Sequence, residues 1–148
     1  MEIRKVENDK KQYIDLLLLA DEQESMIDRY LDRGELFALY DQEILRGVCV
    51  VTKEDEEIYE IKNIATYEQY HGMGYGKAMV EFVLKYYKPV AKEIIVGTGD
   101  SPLTIPFYEK CGFTKYRIVK DFFTNNYDHP IYEEGKQLVD MVYLKHTL

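Results

Sequence analysis

A mixed α/β fold is predicted by three features of the sequence. Strand-like and helix-like segments alternate through the middle of the chain, which requires at least one parallel strand pair with helices laid against the sheet. Strand-like segments dominate the two ends, which makes the sheet mixed rather than doubly wound. The chain has 148 residues without repeats, low-complexity tracts or a Pro/Gly/Ser-rich linker, which predicts a single domain over residues 1–148.

The individual elements follow from spacing. Residues 1–7 alternate as a strand does, with Ile3 and Val6 as the apolar members. Asn8 or Asp9 is placed to cap a helix running to about Ala20, whose stripe is Tyr13, Leu16, Leu17 and Ala20. A second helical stretch, about 22–33, puts Met26, Ile27, Tyr30 and Leu31 on one face, with Gly34 as its stop. Residues 36–40 and 44–52 read as paired strands around a turn at Asp41-Gln42-Glu43. The unbroken apolar run Val48-Cys49-Val50-Val51 predicts a strand covered on both faces. A strand at 57–66 leads through a glycine-rich loop into a helix at about 74–87, with Met79, Phe82, Val83 and Tyr86 at i, i+3, i+4, i+7 before Lys88-Pro89 ends it. A short buried strand at 94–98, a short helix at 103–111 stopped by Gly112, a strand at 113–123, a polar loop at 124–136 and a final strand at 138–145 complete the chain.

Composition excludes several function classes. With 46% hydrophobic and 14% aromatic residues, the chain is globular rather than disordered. Its net charge of −8 and isoelectric point near 4.9 argue against a nucleic-acid partner and an anionic membrane surface, and lean toward cationic substrates. No apolar core follows Met1-Glu2-Ile3-Arg4-Lys5 as a secretory signal requires, and the apolar run from Leu16 to Ala20 is too short to span a bilayer. Two cysteines, Cys49 and Cys111, form no disulfide framework and suit a reducing cytoplasm. No Cys/His cluster has metal-site spacing, so no metal is expected.

The segment Gln69-Tyr70-His71-Gly72-Met73-Gly74-Tyr75-Gly76-Lys77 lies between a strand and a helix. Glycines there let the backbone turn tightly and bring N–H groups to an anion at the positive end of the helix. The alternative is a turn that serves only chain reversal. A P-loop is excluded, because His71 stands at its first glycine and Ala78 at its hydroxyl position. A dinucleotide fingerprint fails at Lys77, where its third glycine belongs.

The pattern Gln/Arg-x-x-Gly-x-Gly/Ala is met by Gln69, Gly72 and Gly74 after Asn63-Ile64-Ala65-Thr66, and Phe107-Tyr108-Glu109-Lys110-Cys111-Gly112-Phe113 follows at a matching distance. Together these resemble the coenzyme A motif and the Phe-Tyr-x-x-x-Gly-Phe ending of the GNAT superfamily of N-acetyltransferases, and the order of elements fits that family along nearly the whole chain. The resemblance implies a GNAT fold, with a mostly antiparallel sheet of six to seven strands flanked by about four helices. It implies acetyl-CoA as cofactor, with pyrophosphate contacts from Gln69, Tyr70, His71, Gly72, Met73, Gly74, Tyr75, Gly76 and Lys77, and pantetheine contacts from Ile64, Ala65 and Thr66. It implies direct attack of an amine on the thioester, Tyr108 as the acid that protonates the departing thiolate, and backbone N–H groups near Ala65 as oxyanion donors. Tyr108 is alternatively an ordinary core aromatic in a chain with fourteen tyrosines. Glu60 is the candidate base, on the expectation that it shares strand parity with Lys62, Ile64 and Thr66; the alternative is an exposed carboxylate in the acidic run 54–57. Relatives often carry asparagine seven residues before the tyrosine, where this chain has Ser101 as a partial replacement in cofactor binding. Pro106 departs from the pattern by removing a backbone donor, which is expected to bend the helix and re-aim Tyr108.

On the acceptor side the resemblance points to the first two helices and a late loop. These carry Asp21, Glu22, Glu24, Asp28 and Asp32, then Asp128, His129, Tyr132, Glu133 and Glu134. They read either as a carboxylate-rich mouth for a cationic amine or as ordinary solvated charge. The partner is then a small-molecule or peptide amine, and exposed strand edges permit a homodimer. The competing reading is a GNAT-fold module that senses an acyl-CoA without turnover.

Overall fold

Strand pairing in the computed structural model, which describes residues 1–148, starts from a run of antiparallel neighbours. These are β1 (Glu2–Val6), β2 (Glu35–Asp41), β3 (Ile44–Asp55) and β4 (Ile58–Thr66). The β2–β3 turn places Gln42 and Glu43 at φ +55° and +64°, the doubly left-handed geometry that matches the twist of a tight hairpin. In β2 the side chains alternate: Leu36 and Ala38 join one core, Phe37 and Leu39 the other. In β3, Val48 and Val50 face one way and Cys49 and Val51 the other, so the apolar run is covered on both faces as its composition predicts.

Between β1 and β2 the chain covers one sheet face with α1 (Ile14–Ala20) and a single turn, α2 (Glu24–Ile27). The first helix is shorter than its apolar stripe predicts, because Lys10–Tyr13 is a 3₁₀ turn and Asp9, at φ +53°, makes no side-chain cap. The second stops at Ile27 although Tyr30 and Leu31 stay buried. There the Lys10 ammonium takes the carbonyls of Leu31 and Gly34 at 3.1 and 2.6 Å, holding them outside a helical ladder. Gly34 serves packing instead of a left-handed stop: a Cβ there would lie 2.7 Å from Val50 Cγ1.

The opposite face is covered by α3 (Tyr75–Tyr87), which crosses over to β5 (Glu93–Gly99), and by α4 (Thr104–Lys110). Then come β6 (Thr114–Val119), α5 (Phe122–Asn126), the small hairpin of β7 (Tyr132–Glu133) and β8 (Lys136–Gln137), and β9 (Met141–Thr147). The strand predicted over 113–123 therefore ends early, and the predicted polar loop holds a helical turn and a hairpin. Phe123, Ile131 and Leu138 bury one another in a small satellite core, which fixes this segment. The main sheet has seven strands in the order β1-β2-β3-β4-β5-β9-β6. All neighbours are antiparallel except β4 and β5.

That parallel pair is short. Residues 58–61 of β4 pair with 93–96 of β5, and no pairing continues beyond Ile61 and Val96. Each strand stays bound to its other neighbour, β4 to β3 through Thr66 and β5 to β9 through Gly99. The sheet consequently splits where two strands are each held from the outside only.

Candidate active site

The split opens into a cleft of about 780 Å³, a volume that suits a substantial small-molecule ligand. Its walls are residues 61–66 of β4 and 96–99 of β5, with Phe107 and Tyr108 of α4 beside them. The inner edges of the separated strands carry backbone donors and acceptors that no strand pairs. A ligand bearing amides in an extended chain satisfies such an edge as a strand does.

At one end of the cleft lies the glycine loop. Glu68, His71 and Gly76 line the cleft itself, while Gln69, Gly72, Met73, Gly74 and Lys77 form the rest of the turn around it. Gly72 and Gly74 have φ +82° and +86°, and a Cβ on either would meet nothing within 4 Å. Their glycine character thus serves backbone conformation and open space in front of the loop. The backbone N–H groups of Gly72, Gly74, Tyr75, Gly76 and Lys77 donate to no group in the chain, whereas those of His71, Met73 and Ala78 are taken by Glu68, Tyr70 and Gly74 carbonyls. Free donors clustered at the start of a thirteen-residue helix fit a phosphate or pyrophosphate. Two loop tyrosines face inward: Tyr75 is buried and donates to Asp41 at 2.8 Å, and the Arg46 guanidinium stacks 4.5 Å above the Tyr70 ring. Their side chains hold the loop down while its backbone faces the ligand. Lys77 is exposed and pairs with Glu81 one turn on.

Tyr108 is buried, lines the cleft and packs edge-on against Phe107 and Phe113. Its spacing to Gly112-Phe113 has a structural cause. Phe113 N–H donates to Tyr108 O and Gly112 N–H to Glu109 O, both at 3.0 Å, and Gly112 sits at φ +93°. This is a Schellman stop, completed by the Phe113–Tyr108 contact. Pro106 does not re-aim the tyrosine, because it lies in the first turn of α4, where a backbone N–H has no helical acceptor. Burial pushes the Tyr108 phenol well above its ordinary range, and no cation stands by to offset it.

Glu60 does not share the parity of Ile64 and Thr66. Val50 pairs with Asn63 but Val51 with Ile61, so Lys62 is the extra residue of a β-bulge. The bulge turns Glu60 and Asn63 to the face of α1 and α2, and Ile61 and Ile64 to the face of α3. Glu60 is buried rather than exposed, and it sits at the closed end of the split, outside the cleft lining. Burial pushes its carboxyl up, and Lys62, whose ammonium is 3.2 Å away and which does line the cleft, opposes that shift.

Ser101 is not brought to the cleft. Its hydroxyl donates to Glu133 at 2.7 Å and accepts Leu103 N–H at 3.2 Å, fastening the chain before α4 to β7. The predicted acidic mouth divides similarly. Asp21, Glu22, Tyr132, Glu133 and Glu134 line the cleft; Glu24 and Asp28 pair with Lys11, and Asp32 lies apart. His129 bridges Asp128 at 2.6 Å and Glu22 at 3.1 Å, which raises its pKa. Neither cysteine lines the cleft, and burial raises both thiols, Cys49 to about 12.

Spacing placed Tyr30 on a helix face but gave it no role, and it singled out neither Asn63 nor Tyr127. Tyr30 and Tyr127 donate to the two oxygens of Asp21 at 3.0 and 2.6 Å, and Asn63 donates to Tyr30 at 3.1 Å. Burial pushes the Asp21 carboxyl up, and the hydrogen bonds from Tyr127 and Tyr30 pull it down. Asn63 gave no signal of its own, since it directly follows Lys62 in a strand that also carries Glu60.

Comparison with known proteins agrees with this geometry. The Acetyltransferase (GNAT) domain family model matches residues 32–115. An uncharacterized N-acetyltransferase of Bacillus subtilis (strain 168), YvbK, is 42% identical over 132 residues, 88% of this chain and 85% of that protein. The crystal structure of a GNAT family acetyltransferase from Elizabethkingia anophelis with acetyl-CoA bound superposes with a TM-score of 0.94 at 36% identity, covering 99% of this chain and 97% of that one. A Bacillus subtilis acetyltransferase in complex with CoA gives 0.91 at 38% identity over 99% and 98%. The split sheet, the free amides behind it and these matches coincide in one conclusion: the chain belongs to the GNAT acetyltransferases and is an acyltransferase.

Proposed function

We propose that the chain transfers the acetyl group of acetyl-CoA to a primary amine of a small molecule or peptide, by direct attack within a ternary complex. The observation that carries this reading is the juxtaposition, in one cleft, of unpaired strand edges, unbonded loop amides and the Tyr108 hydroxyl. The cofactor supplies an activated thioester. The N–H groups of Gly72, Gly74, Tyr75, Gly76 and Lys77 hold its pyrophosphate, and the open edge at Ile64, Ala65 and Thr66 holds its pantetheine amides. Backbone N–H near Ala65 stabilises the charge that develops on the carbonyl oxygen. Tyr108 keeps its proton on Oη and delivers it to the departing sulfur. Glu60, buried beside Lys62 on the acceptor face, takes the amine proton through a water. Direct attack is supported by the absence of a cysteine in the cleft lining. The free thiols of Cys49 and Cys111 support a reducing compartment, the cytoplasm; no helix is long and apolar enough to cross a membrane.

Calorimetric titration with acetyl-CoA, beside ATP and NAD, tests the cofactor assignment. Saturable binding of acetyl-CoA alone is the expected result. A Gly74→Ala variant, forced to φ near +86° without a steric contact, weakens it. Equal binding of ATP, or no binding of acetyl-CoA, overturns the assignment.

A further inference from the structure

We propose that Arg46 is the positioning residue of the phosphate loop: its guanidinium, packed against two loop tyrosines, holds the loop in the conformation that leaves its amides free and places a buried positive charge behind them. The inference rests on the cofactor reading above and adds to it a residue from outside the loop. Arg46 lies on β3 opposite the point where β4 passes into the loop. The neighbouring Gly47 pairs with Thr66, and Tyr67 N–H donates to the Arg46 carbonyl at 3.3 Å. The guanidinium lies 4.5 Å from the centre of the Tyr70 ring and 5.6 Å from that of Tyr75. Those two residues flank the turn His71-Gly72-Met73-Gly74, and their rings meet edge to face at 6.2 Å. One planar cation thus holds both ends of the turn by their side chains, while the N–H groups of Gly72, Gly74 and Tyr75 stay unbonded. Arg46 does not line the cleft, so it acts through the loop and not by touching the ligand.

The charge of Arg46 is a separate observation. At 8% exposure it is the only buried lysine or arginine in the chain. Buried cations are ordinarily paired with a carboxylate, and this one has none within ion-pair distance. Its Nε and Nη2 both donate to the main-chain carbonyl of Asp41, at 3.3 and 3.1 Å. A carbonyl satisfies N–H groups without cancelling a charge. The Asp41 carboxylate accepts from Tyr75 at 2.8 Å and offsets the guanidinium only across a distance. The remaining positive charge lies at the start of α3, where it adds to the field of the helix end.

The contribution of Arg46 is confined to one half of the cofactor. The open edge at Ile64, Ala65 and Thr66 is held by the main-chain ladder between β3 and β4, which needs no side chain of Arg46. Loss of the guanidinium is therefore felt where the phosphates sit and not where the amides sit. Shape and charge are also separable. A lysine at this position keeps the charge but has no plane to lay against Tyr70. The Tyr70 hydroxyl makes no hydrogen bond within the chain, so its ring is what the residue contributes.

The test compares two donors by calorimetric titration and needs no turnover. Acetyl-CoA is set beside S-acetylpantetheine, which carries the same thioester and amides without any phosphate. The wild type is expected to prefer acetyl-CoA. Arg46→Met is expected to lose about tenfold or more in acetyl-CoA affinity with S-acetylpantetheine affinity unchanged, and Arg46→Lys to recover part of that loss. In steady-state rates Arg46→Met raises KM for acetyl-CoA while kcat holds. Undiminished acetyl-CoA affinity in Arg46→Met overturns the proposal. An equal loss for both donors also overturns it, because it marks a residue that only stabilises the fold. If Arg46→Met does not fold, Tyr70→Leu is expected to lose more acetyl-CoA affinity than Tyr70→Phe, and equal affinities in those two variants overturn the proposal instead. A wild type that binds the two donors equally overturns the phosphate assignment and this inference with it. A preference that survives Arg46→Met overturns this inference alone.

Discussion

Tyr108 matters at the scale of a single proton. A phenol surrounded by Phe107 and Phe113, with no cation beside it, keeps its proton at any physiological pH, and its open side is the cleft. It is a donor that no change of medium removes, ready for a sulfur that leaves as thiolate. Tyr108→Phe is expected to lower kcat by about a hundredfold or more while acetyl-CoA affinity stays unchanged, measured by initial rates and calorimetry on the same preparation. Loss of both together would reduce Tyr108 to a packing residue. The same scale shows where spacing misleads: one inserted residue, Lys62, reverses which face Glu60 shares with its neighbours. Strand period predicts alternation, but it cannot announce a bulge, since any residue type is tolerated there.

Among the elements, α4 and the clamp over the cleft mouth carry the geometry. The Schellman stop fixes Tyr108 through Gly112, whose Cβ would meet the His146 ring at 2.9 Å and whose φ of +93° disfavours any side chain. Gly112→Ala is therefore expected to cost about 1–2 kcal/mol of stability and to lower kcat more than acetyl-CoA affinity, as read by denaturant unfolding and kinetics. The clamp ties the α1–α2 connection and Arg29, just after α2, to the end of α5 and the chain that follows it. It consists of Arg29 to Asn126, Gln23 to Asp128 N–H, Tyr127 to Asp21, and His129 to Glu22. Asp128 first and Glu22 second raise the His129 pKa, so its contribution is full below about 6.5 and is lost as pH rises through the raised folded value. The Tm difference between wild type and His129→Ala is expected to be full at about pH 6 and to shrink as pH rises through the raised folded value; a difference that does not shrink with rising pH would contradict the clamp. These parts were unequally legible. The long periodic elements, α3 and the β2–β3 hairpin, were read from their spacing. The helical turn 122–126 and the hairpin 132–137 were not, because each is too short to show a period and is held by the satellite core of Phe123, Ile131 and Leu138.

Over the whole molecule, charge and ligand look mismatched until location is considered. A chain of net charge −8 would repel a polyanion on average, yet the proposed phosphate site is made of backbone N–H groups at a helix start, so the attraction is local. The mixed sheet was legible from the alternation of segments, and the family and the cofactor loop from two glycine-containing motifs, one between a strand and a helix and one at a helix end. The acceptor side was legible only as composition. Which carboxylates reach the cleft depends on contacts such as Tyr127 to Asp21, made between residues 106 positions apart. The most direct test of acetyl transfer is coenzyme A release from acetyl-CoA, followed with a thiol reagent in the presence and absence of a panel of primary amines. The account predicts release that depends on added amine and is matched by an equal amount of acetylated amine. Bound acetyl-CoA that yields no amine-dependent release across mono- and diamines would contradict it and leave an acyl-CoA sensor in its place.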